Sequence, residues 1–301
     1  MIARIAEAVA SKLALDDWTW NAILTPMGYD LVASKCILQI RSHRSSSRFL
    51  VKMSNSHRLN YYVEKEANNM LTLSRFGVNW IPEMILHESF GGRSFIVERF
   101  VEGEKLHASS RWLDPIFHQT KGWLTELYAK AGLHEVSAEE LIKRTQEHVE
   151  TSKEFFDIDD SLVIMERHKP QGPIPATWIH GDFWHGNMIK DHAGHVWMTD
   201  FSMSSGNEPP VDVFDLILDY EPDLLSSSRE LAPYILHFLP ADFDPIFLIL
   251  YNLIRKLALK VGARKMLYEE MLLFDLRRGM DSIEEAGVLR KLISHRGRPS
   301  I

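Results

Sequence analysis

Two carboxylates and one amide stand in a fixed order between Ile179 and Phe201, in the stretch IHGDFWHGNMIKDHAGHVWMTDF. Asp182 follows His180 and Gly181, Asn187 comes five positions later, and Asp200 closes the stretch. The first carboxylate can receive a proton. The asparagine and the second carboxylate offer oxygen ligands, which hard divalent cations such as magnesium prefer. Phosphoryl transfer divides its labour in this way. The same residues admit a zinc reading. His180, Asp182 and His185, with His192 and His195 nearby, are legitimate zinc ligands. That reading leaves Asn187 and Asp200 without a task. A purely structural hairpin fits poorly, because a short turn does not need so many polar side chains beside apolar strands.

The elements around these residues follow from local pattern. The TWI run before His180 and Val196 to Met198 before Asp200 suit strands, with the KDHAGH turn between them. Upstream, residues 1–15 read as an amphipathic helix, and Trp18 and Trp20 alternate as on one face of a strand. Cys36 to Ile40 and Phe49 to Met53 read as strands joined by the loop Arg41 to Arg48, which contains no glycine. The segment LNYYVEKEANNMLTLSRFG suits a helix ending at Gly77. EMILHES and SFIVERF then form strands around Gly91-Gly92.

The ordered set His180-Gly181-Asp182, Asn187 and Asp200-Phe201 resembles the signature of the aminoglycoside phosphotransferase and choline kinase superfamily of protein-kinase-like enzymes. The resemblance covers most of residues 36–220 and is strongest from 179 to 216. Ser202 departs from it, where many relatives carry glycine. The resemblance implies an α+β, two-lobed kinase-like fold, with a small antiparallel-sheet lobe over 1–101 and a larger, mainly helical lobe over 102–301. It implies transfer of the γ-phosphoryl group of ATP, with GTP left open, to a small-molecule hydroxyl. Asp182 would orient that hydroxyl and take its proton, Asn187 and Asp200 would hold magnesium, and His180 would support the loop. Lys52 would reach the phosphates while paired to Glu66, with Glu64 as the competitor on another helix face. Ser45, Ser46 and Ser47 would lie in the loop over the phosphates. Phe100 and Val101, within ERFVEG, would join the lobes. Asp215, within Phe214-Asp215-Leu216, would brace the catalytic loop, while Asp212 fits the pattern less clearly and is left without a role.

The second half reads as helical. Ser137 and Glu140 suit a capping box for a helix running to Phe156, and the segment Lys169 to Pro175 breaks structure before the TWI strand. Further helices are expected over Ser226 to Leu239, Pro245 to Val261, Arg264 to Arg278 and Ile283 to His295. The run PIFLILYNLI ends at Arg255 and Lys256 and is too short to span a bilayer, so it suits a core helix. The chain of 301 residues has a formal net charge of -7, which argues against a generic nucleic-acid binder. A single cysteine, Cys36, excludes an intrachain disulfide framework. Glu208, Asp212, Asp219, Glu221 and Asp223 lie close in sequence and would suit a cationic acceptor, although a solvated acidic surface is the more ordinary reading. A cytoplasmic enzyme with a small-molecule acceptor and no nucleic-acid partner is the expectation, with oligomeric state undetermined. Its rivals are a nucleotide-binding module without turnover and a zinc-dependent hydrolase.

Overall fold

Alternation along the central strands sorts the first sheet into an apolar face and one that carries two lysines and a glutamate. The computed structural model describes residues 2–23, 35–54, 57, 60–106, 113–152, 159–215 and 245–265. The chain divides into two units, Met1–Leu106 with Gly186–Met203, and His107–His185 with Ser204–Ile301. In the first unit, β1 (Trp18–Ile23), β2 (Lys35–Ser42), β3 (Arg48–Ser54), β4 (Met84–Phe90) and β5 (Arg93–Arg99) form an antiparallel sheet in the order β1-β2-β3-β5-β4. Register places Cys36 opposite Met53, Leu38 opposite Val51 and Ile40 opposite Phe49, while Met53 and Val51 face Phe95 and Val97. That face packs on Ile5, Ala6 and Val9 of helix α1 (Ile2–Lys12). Each such buried aliphatic or aromatic side chain contributes roughly 1.5–3 kcal/mol.

Period two sends Lys35, Leu50, Lys52, Ile96 and Glu98 to the opposite face. Helix α2 (Asn60–Arg75) turns Val63, Glu66, Ala67, Met70 and Leu73 inward, so the face with the two lysines meets a helix that carries a buried glutamate. The helix ends at Arg75, and Gly77, at φ 68°, caps it with its N–H on the Ser74 carbonyl at 2.9 Å.

A second sheet in this unit has the order β10-β9-β6, from β6 (Gly103–Lys105), β9 (Met188–Asp191) and β10 (Val196–Met198). It explains why residues 186–203 group with the first unit, where a single cut after residue 101 would separate them. β9 pairs with β6, the Met198 N–H donates to the Trp80 carbonyl at 2.9 Å, and Asn69 donates to the Phe201 carbonyl at 2.7 Å.

In the second unit, β7 (His134–Val136), β8 (Ile174–Ile179) and β11 (Ser205–Glu208) form a sheet in the order β11-β8-β7. The TWI run therefore pairs with β7 and β11, while the VWM run pairs with β9, so the two are not arms of one hairpin. Helices α3 (Leu113–Ala131), α4 (Ala138–Ser152), α5 (Asp159–Arg167) and α6 (Pro245–Lys265) also belong to this unit. The predicted cap of α4 is present, with the Glu140 N–H donating to the Ser137 hydroxyl at 3.1 Å. α6 buries Ile246, Phe247, Leu248, Ile249, Leu250, Tyr251 and Ile254, as a core helix should. Among the described residues no helix is long and apolar enough to cross a membrane. The helices expected over 226–239 and 283–295, and most of that over 264–278, lie outside the described residues, as do residues 153–158 at the end expected for α4.

Gly103 tests the β6 to β9 pairing. A Cβ there would lie 2.2 Å from the Lys190 carbonyl oxygen and 2.7 Å from its carbon, and neither backbone atom can swing away. Gly103→Ala should lower stability by about 1–3 kcal/mol, the range for overpacking. Gly122→Ala, in α3 with open space around it, should raise stability by about 0.5–1 kcal/mol. Urea denaturation of both variants checks this, and equal stability for the two would contradict the pairing.

Candidate active site

The chain leaves β8 at Ile179 and makes a loop whose backbone cannot continue the sheet, so its N–H groups need other acceptors. Two buried carboxylates supply them. Asp212 accepts from the His180 N–H and the Gly181 N–H, both at 2.8 Å, and Asp215 accepts from the Phe183 N–H at 3.2 Å. The carbonyls are held as well. The Ser204 hydroxyl donates to the His180 carbonyl at 2.9 Å, and Arg255 donates to the Gly181 carbonyl at 3.0 Å. Gly181 has φ 81°, a conformation that penalises a side chain, which is why glycine stands between His180 and Asp182. The His180 ring is buried, lies edge-on to Phe183 and accepts the Asp182 N–H through Nδ1 at 3.3 Å. The ring thus bonds the loop's own backbone.

The Asp182 carboxylate is oriented from two sides. Lys256 of α6 lies 2.9 Å from Oδ1, and the Trp184 indole donates to Oδ2 at 3.1 Å. Lys256 also lies 3.2 Å from Asp215 Oδ1. Burial opposes the charge on Lys256, but Asp215 and Asp182 together outweigh it and hold its pKa above the ordinary lysine value.

The first unit carries a separate chain of charges. Lys52 of β3 reaches Glu66 of α2 at 2.7 Å and Glu98 of β5 at 2.6 Å. The other oxygen of Glu66 meets Lys35 of β2, and Lys35 reaches Asp200 at 3.0 Å. Glu66 thus joins Lys52 to Lys35, while Glu64 turns away to accept from the Ser94 hydroxyl at 2.7 Å. Burial works against the charge on Lys52, and the carboxylates of Glu66, Glu98 and Asp200 overcome it, so its pKa is raised. Glu98 is pushed up by burial and by Glu66, against the pull of Lys52. Asp200 goes the other way. Burial would raise it, but Lys35, Lys52 and the Ser202 hydroxyl hold it far below the usual carboxylate range.

Asn187 and Asp200 stand at one end of the β9 to β10 hairpin. Thr199 donates its N–H at 2.8 Å and its hydroxyl at 2.9 Å to the Asn187 carbonyl, next to Asp200 in sequence. Asp200 has φ 62°, an uncommon conformation for a residue with a side chain. Ser202, at the position where the resemblance leads one to expect glycine, donates its hydroxyl to Asp200 Oδ1 at 2.7 Å. A carboxylate that stays ionised, with its side chain 46% exposed and an amide side chain at the same end of the hairpin, fits the oxygen chemistry of magnesium. The zinc reading finds no such fit. Among the described residues no three His, Cys, Asp or Glu side chains group as metal ligands. The His185 ring lies edge-on to Trp184, His195 approaches Asp191 at 3.6 Å, and Asp191 accepts the Ala193 and His195 N–H groups in the turn.

The serine loop is a tight β2 to β3 turn. The Ser42 N–H bonds the Ser47 carbonyl at 2.9 Å, the Ser45 N–H the Ser42 hydroxyl at 3.3 Å, and the Ser47 N–H the Ser45 hydroxyl at 3.4 Å. Ser45 and Ser46 are exposed, and Ser46 has φ 55°. The Phe100 N–H donates to the Arg48 carbonyl at 3.0 Å, which ties the segment after β5 to the first sheet. Sequence reasoning missed Lys35, Glu98, Asn252, Arg255 and Lys256 as site residues and left Asp212 without a role. Of the acidic residues read chiefly as a solvated surface, Asp212 is instead buried and bonded, Tyr251 donates to Glu208 at 2.5 Å, and Asp219, Glu221 and Asp223 lie outside the described residues.

The sequence model of the Phosphotransferase enzyme family matches residues 39–232. No curated protein matches the chain. Solved structures share its fold at low identity. The choline kinase LicA from Streptococcus pneumoniae aligns with a TM-score of 0.62 at 17% identity, over 97% of this chain and 100% of its own. A spectinomycin phosphotransferase in complex with ADP and its antibiotic aligns at 0.60 and 11%, over 97% of each chain. A macrolide 2'-phosphotransferase aligns at 0.60 and 15%, over 92% of this chain and 96% of its own. These likenesses bear out the α+β, two-lobed kinase-like fold.

Asp212 gives a test of the loop. Burial, with the charge of Asp215 beside it, pushes its pKa up to about 6, against the pull of His180 and the two N–H donors. The raised value means that the folded state binds this proton more tightly than the unfolded chain. The stability this adds is full below about pH 4 and is lost as the pH rises through about 6. It amounts to ~3 kcal/mol at about 1.4 kcal/mol per unit. Urea denaturation between pH 4.5 and 6.5 should show wild type losing about 2 kcal/mol of that stability relative to Asp212→Asn. Parallel curves for the two proteins would contradict it.

Proposed function

The chain belongs to the phosphotransferase enzyme family, which makes it an ATP-dependent kinase of small molecules, and from that we propose how its residues divide the reaction. Asp182 receives the proton of the acceptor hydroxyl and aims the acceptor oxygen at the γ-phosphorus of ATP. A new P–O bond forms there while the bond from the γ-phosphorus to the bridging oxygen breaks, and ADP leaves. A carboxylate, weak base though it is, serves because the transition state is loose, the proton moves late and positioning dominates. The observation that carries this assignment is the hold on Asp182, whose loop is bonded to two buried carboxylates and whose own oxygens meet Lys256 and Trp184.

Lys52 and Lys35 fix the nucleotide's phosphates, and Glu66 fixes both lysines. Ser45, Ser46 and Ser47 offer hydroxyls to the same phosphates from the β2 to β3 turn. Asn187 and Asp200 are the residues that would hold magnesium, which when bound neutralises charge on the phosphate oxygens. His180 supports the loop and does not touch the acceptor. The acceptor is an alcohol of the amino-alcohol, sugar, amino-sugar or antibiotic kind. What supports this class is the fold shared with kinases whose names specify choline, spectinomycin and macrolides.

Asp182→Asn should lower kcat by about two to four orders of magnitude, the usual worth of a positioned acid or base. The KM for ATP should change little, since phosphate binding belongs to other residues. The check is acceptor-dependent ADP release over a panel of amino alcohols, sugars, amino sugars and antibiotics. Nucleotide binding by the wild type without turnover on any acceptor would favour a binding module instead.

A further inference from the structure

Helix α6 is apolar along most of its first three turns, yet three of its polar side chains reach the Asp182 loop or Asp215 beside it. Asn252, Arg255 and Lys256 recur at helical spacings of three and four, so they share one face. Asn252 donates to Asp215 Oδ1 at 2.5 Å, and Arg255 donates to the Gly181 carbonyl and to Asn252 Oδ1 at 3.0 and 3.3 Å. Lys256 Nζ lies between Asp215 Oδ1 and Asp182 Oδ1.

We propose that Lys256 is the positioning residue for the Asp182 carboxylate, anchored on Asp215 and setting the direction in which Asp182 meets the acceptor hydroxyl. The anchor is fixed independently of Lys256. Asp215 is buried and already accepts from the Phe183 N–H and from Asn252. An ammonium held on such a group has little freedom left, and its remaining donors act at a defined point. Its hold on Oδ1, with the Trp184 indole on Oδ2, fixes the plane of the Asp182 carboxylate. Such a hold suits a reaction in which the proton moves late and alignment sets the rate, because a small misalignment of a reacting group costs large factors in rate.

The proposal rests on Asp182 being the group that takes the proton, and a double-mutant cycle separates the two claims. Lys256→Met should lower kcat by about ten- to a hundredfold with the KM for ATP unchanged within about twofold, the pattern of an interaction that acts on the reacting step. Lys256→Arg, which keeps the charge, should recover part of the loss. In an Asp182→Asn background, Lys256→Met should cost less than about threefold more, because the side chain it positions is already disabled. Equal losses in both backgrounds would overturn the proposal, as would a rise in KM for ATP with kcat unchanged. Full activity in Lys256→Met beside an inactive Asp182→Asn would sink the positioning role and leave the base assignment standing. Full activity in Asp182→Asn would sink the base assignment itself. Because Lys256→Met leaves two carboxylates without their shared cation, at a cost to folding, Lys256→Gln is run in parallel. It keeps an N–H donor, and its kcat should fall between those of Met and Arg. A Lys256→Gln enzyme that melts with wild type and has wild-type kcat would also overturn the proposal.

Discussion

Buried carboxylates accepting backbone N–H groups are the interaction on which the Asp182 loop depends. A loop that leaves a strand carries amide groups with no ladder partner, and leaving them unpaired inside the protein costs about 1–3 kcal/mol each. Asp212 and Asp215 answer that need at His180, Gly181 and Phe183. A carboxylate in place of a neutral acceptor carries its own cost, visible in the upward push on Asp212. The return is rigidity, since bonds to a charged acceptor are shorter and stronger than neutral ones. The loop's conformation is then set by the segment 212–215 and by α6, and Asp182 inherits its direction from both.

The first unit meets a similar problem with another solution. Its sheet has one face that packs on α1 and one that carries lysines, and α2 brings Glu66 to the second. Lys52 is shared by Glu66 and Glu98, and Lys35 by Glu66 and Asp200. Such networks add little net stability, yet deleting one member leaves the others buried and unpaired at a cost of about 3–5 kcal/mol. The arrangement therefore suits the phosphate and cation roles proposed for these residues better than it suits a device for folding.

Much of this was legible because local pattern suffices for it. The strands around Lys52, the helix capped by Gly77 and the Ser137 cap each depend on a few neighbouring residues. Glu66 could be preferred to Glu64 because two positions on a helix change the face presented. Lys35 and Glu98 could not be found this way. Their meeting with Lys52 and Glu66 depends on cross-strand register, in which Lys35 pairs with Ser54 and Glu98 with Leu50. Local pattern marks Lys256 only as the end of an apolar run. The signal that would have found it is the polar face Asn252, Arg255 and Lys256 on a helix otherwise buried, because buried charges are almost always paired. What they pair with lies far away in sequence, Arg255 bonding Gly181 across 74 residues.

The most direct measurement is amide hydrogen exchange at His180, Gly181 and Phe183 in the wild type and in Asp212→Asn, under conditions where both are folded. If the buried carboxylates hold the loop, these three amides exchange slowly in the wild type, and those of His180 and Gly181 speed up in the variant while Phe183, bonded to Asp215, changes less. Rapid exchange at His180 and Gly181 in the wild type, as fast as in the exposed turn at Gly91 and Gly92, would contradict the account.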